Sequence, residues 1–353
     1  MSFNAFNQLV LASVRRQAMP IATYPGMALT GATVQQVVSD PRIQFEVQAA
    51  LHQRYQTPFV LTAMDLSAEA EAFGSEIFQP ENEIPSVTGR LVTSRGQADN
   101  LPVPAPGDRR TRVYLETARR LRRLADHPLV LGGCIGPFSL ASRLVGVKEA
   151  MEFTVLEPDL IHVVLEKCTR FLGAYVQAFK EAGADGLIMA EPAAGLLSPR
   201  SLSAFSSAYI RQIATTVDDG RFALILHNCA AKAVHLPAIL ETGLRTFHFG
   251  APMDLLSALG KVPAEVVLCG NLDPAAVFCQ ATPAEVAARA TVLLTTTAAF
   301  PNFVISSGCD VPPDSALASL DAFYGAVNAF NHAAAGKPGT DPGPPAPNPV
   351  PPP

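Results

Sequence analysis

Eight short apolar runs recur along this chain, each nearly free of polar alternation and most of them followed by a longer stretch of helical character. They are PIATYP (20–25), PFVLTAMDL (58–66), PLVLGGCIGP (128–137), ADGLIMAEP (184–192), FALILHNC (222–229), LRTFHFGA (244–251), EVVLCGNLDP (265–274) and NFVISSGCD (302–310). A strand with one wet face alternates apolar and polar side chains, so runs without alternation belong to parallel strands buried on both faces. The intervening segments are amphipathic. Residues 158–182 have apolar positions at helical spacing and stop at a Gly-Ala-Asp, and residues 283–299 open with Thr282-Pro283, a suitable N-cap and first-turn pair. Eight strands alternating with helices predict one (β/α)8 barrel of TIM type over residues 1–335, in preference to a doubly wound open sheet. Hydrophobic residues at 48% and charged residues at only 16% supply the core that such a barrel needs.

Two stretches fall outside a bare barrel. Residues 67–127 hold a predicted hairpin, EIFQPENEIPSVTGRLVTS, expected to fold over the barrel mouth. A Pro-rich loop and the helix RVYLETARRLRRLAD follow, whose arginines read as a solvated face. The tail GKPGTDPGPPAPNPVPPP (336–353) is half proline, cannot build a core and is expected to be disordered.

The formal net charge of -5 argues against a nucleic-acid partner. The first twenty residues lack the pattern of a secretory signal, and no uncharged apolar run reaches the ~18 residues of a membrane span. The expectation is a cytoplasmic protein without a membrane partner, in which the six cysteines are thiols or metal ligands rather than disulfides.

Barrel enzymes place their chemistry at the C-terminal ends of the strands. Here those ends carry Asp65, Cys134, Glu191, His227 with Cys229, His248, Asn271 with Asp273, and Cys309 with Asp310. His227-Asn228-Cys229 is the sharpest feature, because residues two apart in an extended segment project to one side and can bite one ion. Imidazole nitrogen and thiolate sulfur suit zinc. Cys309, ending the last strand, is the candidate third ligand, and two sulfurs with one nitrogen leave the fourth position open, as in a catalytic site. Cys168 and Cys279 read as helix packing residues, and Cys134 and Cys269 as core. His248 reads equally as a pocket residue or a satisfied core histidine.

Asp65 suits an N-cap as well as a pocket. Glu191, a carboxylate ending an apolar strand, needs a cation, a donor or water. It is the candidate fourth ligand or a base beside the metal. GGCIGPF and GNLDP let backbone approach a ligand closely, which makes Asn271 the candidate cofactor contact. Neither has nucleotide-binding spacing.

DLSAEAEAFG (65–74), GPFSLASRLVG (136–146), AGADGLIMAEPAAGLLSP (182–199), LHNCAAK (226–232), CGNLDP (269–274) and SSGCDVPP (306–313) together carry a family resemblance over most of residues 1–332. The chain resembles the uroporphyrinogen decarboxylase superfamily, and within it the methylcobamide:coenzyme M methyltransferases. The resemblance implies a (β/α)8 barrel, and it places that branch's zinc motif, H-x-C with a distant C, on His227, Cys229 and Cys309. It further implies methyl transfer between a methyl-Co(III) corrinoid, supplied by a partner corrinoid protein, and a zinc-activated thiol such as coenzyme M. Asp65 or Glu191 is then the candidate proton acceptor. Two related readings stay open. The same zinc site can methylate the corrinoid from a small methyl donor, or the protein can be a metal-free decarboxylase-like barrel acting on or binding tetrapyrroles. The decarboxylases have an R-Q-A-G-R motif that binds propionates, whereas here Arg16-Gln17 runs into Ala18-Met19-Pro20. From the methyltransferase pattern this sequence departs at Ala230, usually glycine, and at Glu191, usually aspartate.

Overall fold

A computed structural model describes residues 4–217 and 219–335; the proline-rich tail lies outside the described residues. Seven of the eight apolar runs form strands, all within their expected bounds. They are β1 (Phe59–Leu61), β4 (Leu129–Ile135), β5 (Gly186–Ala190), β6 (Ala223–Asn228), β7 (Thr246–Phe249), β8 (Val267–Leu272) and β9 (Phe303–Ser307), and β2 and β3 make a separate hairpin described below. The seven lie side by side in the order β1-β4-β5-β6-β7-β8-β9, every pair parallel. This is the α/β architecture of a TIM-type barrel.

The eighth stave differs from the expected strand over 20–25. The segment that lies along β9 is centred two residues earlier, where Ala18 bridges Ile305. Met19 N–H donates to the Ile305 carbonyl at 2.9 Å and Ile305 N–H to the Gln17 carbonyl at 3.1 Å. The ladder ends at the next residue on that side, Ile21, whose N–H goes to Ser307 Oγ at 2.9 Å, and Pro20, facing β1, has no N–H to offer there. Against the β1 side this segment is held by side chains, Tyr24 Oη donating to the Met64 carbonyl at 2.8 Å. A cavity of about 40 Å³ lined by Ala18, Met19, Pro20, Phe59 and Val60 marks the unzipped seam.

Two apolar layers result from residues facing alternately in and out. The barrel interior is filled by Met19, Ile21, Phe59, Leu131, Ile188, Ile225, Val267 and Val304, with Phe6 and Val10 of the helix Ala5–Ala12 packed into the same cluster. That helix seats its Phe6 ring 5.0 Å from the Phe59 ring, and Asn7 Nδ2 donates to the carbonyl of Arg245, just before β7. It therefore plugs the N-terminal end of the barrel.

The outer layer packs helices on the strands. Pro158–Glu181 is the longest helix and buries Leu160, Val164, Cys168, Phe171, Leu172, Tyr175 and Phe179, an i, i+3, i+4 stripe. It ends where predicted, with Gly183 at φ +90° and Ala184 N–H returning to the Phe179 carbonyl at 3.1 Å. Gly132 on β4 is what lets Phe179 approach, because a Cβ there would lie 2.6 Å from its ring. The helix Pro283–Thr296 opens on a capping box between Thr282 and Glu285.

β2 (Glu76–Phe78) and β3 (Ser86–Thr88) form the expected hairpin, with Ile77 opposite Val87. Its loop is tied to the helix Val34–Ser39, Gln35 N–H donating to the Glu81 carbonyl at 2.9 Å. No helix among the described residues is long and apolar enough to cross a membrane.

Candidate metal centre

His227, Cys229 and Cys309 come together: one ligand atom from each lies within 4.8 Å of the others. His227 is buried, whereas both cysteines are half-buried. Each is fixed by local chemistry. His227 is next to last in β6, in register between Ala190 of β5 and His248 of β7. Beyond it Asn228 turns the chain, its Oδ1 accepting from Ala230 N–H at 3.2 Å. Ala230 has no positive φ, so the glycine usual in the resembled branch is not required by this turn. Gly250, just past β7, packs against the turn, and a Cβ there would meet the Cys229 carbonyl at 2.1 Å.

Cys309 sits in a loop pinned on both sides. Gly308 N–H donates to the Leu272 carbonyl at 2.5 Å and Val311 N–H to the Ile21 carbonyl at 2.7 Å. Asp310 accepts from Thr23 N–H and from Thr23 Oγ1 at 2.8 Å, which fastens this loop to the eighth stave.

The electrostatics suit a cation. The Cys309 thiol beside it brings Cys229 down to about 7, while Cys229 and burial push Cys309 up to about 12. A hydrogen bond between the two sulfurs thus favours loss of the Cys229 proton before that of Cys309. His227 Nδ1 lies 2.8 Å from His248 Nδ1, and His227 Nε2 is buried with no well-formed hydrogen bond, while the ring interacts with the Cys309 thiol and lowers its pKa. An imidazole nitrogen left without a well-formed bond next to two thiols is a donor set for a soft or borderline ion such as zinc.

The other expected site residues are placed elsewhere. Glu191 is fully buried, and its oxygens accept from Phe138 N–H and Ser139 N–H, each at 2.8 Å, and from Ser206 Oγ at 3.0 Å. From the end of β5 it accepts from the first-turn amides of the helix Pro137–Val145. The extra methylene of glutamate supplies that reach, and a Cβ at Gly136 would collide with the carboxylate. Burial raises its pKa, against the pull of Ser139, Phe138 and Ser206.

Asp65 is buried but does not cap the next helix, Ala68–Phe73, whose N-cap is Ser67. One oxygen accepts from Ser67 N–H and Oγ, and the other pairs with Arg110 and accepts from Tyr114 Oη at 2.9 Å. Asn271 Nδ2 donates to the carbonyls of Gly250 and Met253, at 3.0 and 2.7 Å, and so braces the loop behind Cys229.

His248 is more than a filled core position, because it touches both His227 and Ser306. Cys134, Cys168 and Cys269 are core, as expected, whereas Cys279 is exposed, its Sγ 2.9 Å from Ser315 Oγ. Sequence reasoning missed Arg110, buried between Asp65 and Glu71, just before the helix Thr111–Leu121 whose Arg119 and Arg120 do lie on the surface. It also missed Glu69, whose Oε1 accepts from Ile135 N–H at 3.0 Å while Oε2 has no partner. Burial pushes Glu69 up to about 8.

The profile of the uroporphyrinogen decarboxylase (URO-D) family matches residues 9–330. A uroporphyrinogen decarboxylase of Salmonella heidelberg (strain SL476) is 27% identical over 285 residues, covering 77% of this chain and 79% of that protein. Among solved structures, a methyltransferase from Methanosarcina mazei superposes with a TM-score of 0.83 at 23% identity, over 92% of this chain and 97% of that one. A B12-independent methionine synthase from Shewanella sp. W3-18-1 superposes with a TM-score of 0.56 at 13% identity, over 92% and 96%. At these identities the structural likeness is one of fold.

Proposed function

The chain belongs to the uroporphyrinogen decarboxylase family, and within that family we propose that it is a zinc-dependent methyltransferase. On this reading it moves a methyl group between a methyl-Co(III) corrinoid, carried by a partner protein, and a thiol such as coenzyme M. The observation that carries the reading is the His227, Cys229 and Cys309 cluster, in which His227 Nε2 makes no well-formed hydrogen bond. The residues fit zinc by donor type, and three protein ligands leave a position for substrate. Zinc in such a site turns a bound thiol into a thiolate at neutral pH.

The chain's own groups do the rest. Cys229 and Cys309 would supply two negative charges to balance the ion, which would keep a substrate sulfur bound beside them electron-rich. Gly250 and the Asn271 brace hold the Cys229 turn in place. Glu191 and Asp65 are already engaged by donors, so the proton released from the thiol passes to solvent rather than to either carboxylate.

The names of the curated relatives favour a second reading, decarboxylation of a tetrapyrrole. The position of Arg16 weighs against it. Its guanidinium donates to the carbonyls of Thr297, Phe300 and Phe303, at 2.7 to 2.9 Å, beside the first residue of β9 and therefore at the end of the barrel away from the strand C-termini. It is not available to a propionate at the mouth.

The test is zinc content after purification together with turnover of methylcobalamin by coenzyme M, followed as Co(I) formation. Zinc at one equivalent is expected, with zinc and methyl transfer lost together in His227→Ala and Cys309→Ser. A zinc-free protein that decarboxylates a tetrapyrrole would overturn the proposal. Transfer only from a small methyl donor onto the corrinoid would reverse its direction.

A further inference from the structure

Four polar groups in the top layer of the barrel interior form one chain. Ser306 Oγ lies 2.5 Å from the Met19 carbonyl, His248 Nε2 lies 2.8 Å from Ser306 Oγ, and His248 Nδ1 lies 2.8 Å from His227 Nδ1. His248 and Ser306 are fully buried and His227 nearly so. Water cannot rearrange these bonds, so each proton is assigned by what its neighbour is able to do.

A carbonyl only accepts, so the Ser306 hydroxyl donates its one proton to Met19. Ser306 then has only lone pairs to offer His248, and His248 Nε2 must be the N–H. No acid is among the hydrogen-bond partners of His248, so the buried ring is neutral and its Nδ1 is a lone pair. His227 Nδ1 must therefore donate, which leaves the lone pair of His227 on Nε2. That is the nitrogen with no well-formed hydrogen bond.

We infer that Ser306 and His248 form a tautomer relay, anchored on the Met19 carbonyl, that holds His227 with its Nε2 lone pair ready for the metal. His248 and Ser306 are positioning residues acting through His227. The inference rests on the zinc reading only for its purpose, because the tautomer exists without metal. Orienting partners of this kind typically govern metal affinity by about 10- to 100-fold.

The test has two arms on the full-length protein. The first records 15N chemical shifts of the histidine side chains in metal-free wild type. A protonated Nδ1 and bare Nε2 on His227 are expected, and the opposite tautomer overturns the relay whether or not zinc binds. The second measures zinc affinity by competition with a chromophoric chelator. Ser306→Ala, which removes the anchor, is expected to weaken binding about tenfold. His248→Phe should weaken it further, and His248→Asn, whose Oδ1 can accept where Nδ1 did, should recover most of the loss. Equal affinity in all four proteins overturns the relay. If wild type takes up no zinc while His227 shows the expected tautomer, the zinc reading fails and the relay stands.

Discussion

A carboxyl group buried without a cation can avoid carrying charge by keeping its proton. Glu69 does this: it is packed beneath β4 with one oxygen satisfied by Ile135 and the other by nothing, and burial lifts it from an ordinary 4.5 to about 8. The folded protein thus holds a proton that the unfolded chain gives up near pH 4.5. Its contribution to stability is complete below that pH, erodes as pH rises and is lost through about pH 8. Urea unfolding at several pH values should show this slope, and Glu69→Gln, which keeps an acceptor for Ile135, should flatten it. An unchanged slope would place the proton elsewhere. Glu69 was illegible in the sequence because nothing around DLSAEAEAFG states that residue 135 will sit above it. Arg110 was hidden for the same reason, since its partners lie 45 and 39 residues away. His227 and Cys229 were legible because their relation is local, two positions apart on one strand.

At the scale of elements, strands could be read where burial on both faces removed polar alternation. The first one misled because a side chain, Ser307 Oγ, takes the Ile21 N–H that would continue the ladder, and Pro20 has no N–H for the other side. Glu191 shows the limit most clearly. A carboxylate ending a strand beside a metal motif looks like a ligand, yet its partners are the backbone amides of a helix that begins 54 positions upstream. Glu191→Ala should therefore expose two amides and cost about 1–3 kcal/mol of stability, measured by urea unfolding, with zinc content unchanged. Glu191→Gln should recover part of that. Loss of zinc without loss of stability would return Glu191 to the metal.

For the whole molecule, the two ends of the barrel have opposite constructions. The N-terminal end is closed by the helix Ala5–Ala12, with Phe6 fully buried against Phe59. Phe6→Ala should cost about 3–5 kcal/mol, read as an earlier thermal or urea transition, and should leave the affinity for zinc close to that of the wild-type protein. A variant as stable as wild type would show that this helix is an appendage rather than a plug. At the opposite end the chain brings His227, Cys229 and Cys309 together from positions far apart.

That distance has a consequence for how the protein is made. The Ser306 to Met19 bond joins residues 287 positions apart, and Cys309 follows only three residues later. A chain still leaving the ribosome displays His227 and Cys229 long before it displays their third companion or the hydroxyl that orients them. During that interval a metal ion would meet only a loose two-point grip. On the proposed function, tight capture would begin only when residue 309 has emerged and the last stave has docked on the first, so metal uptake would report that synthesis of the barrel is complete.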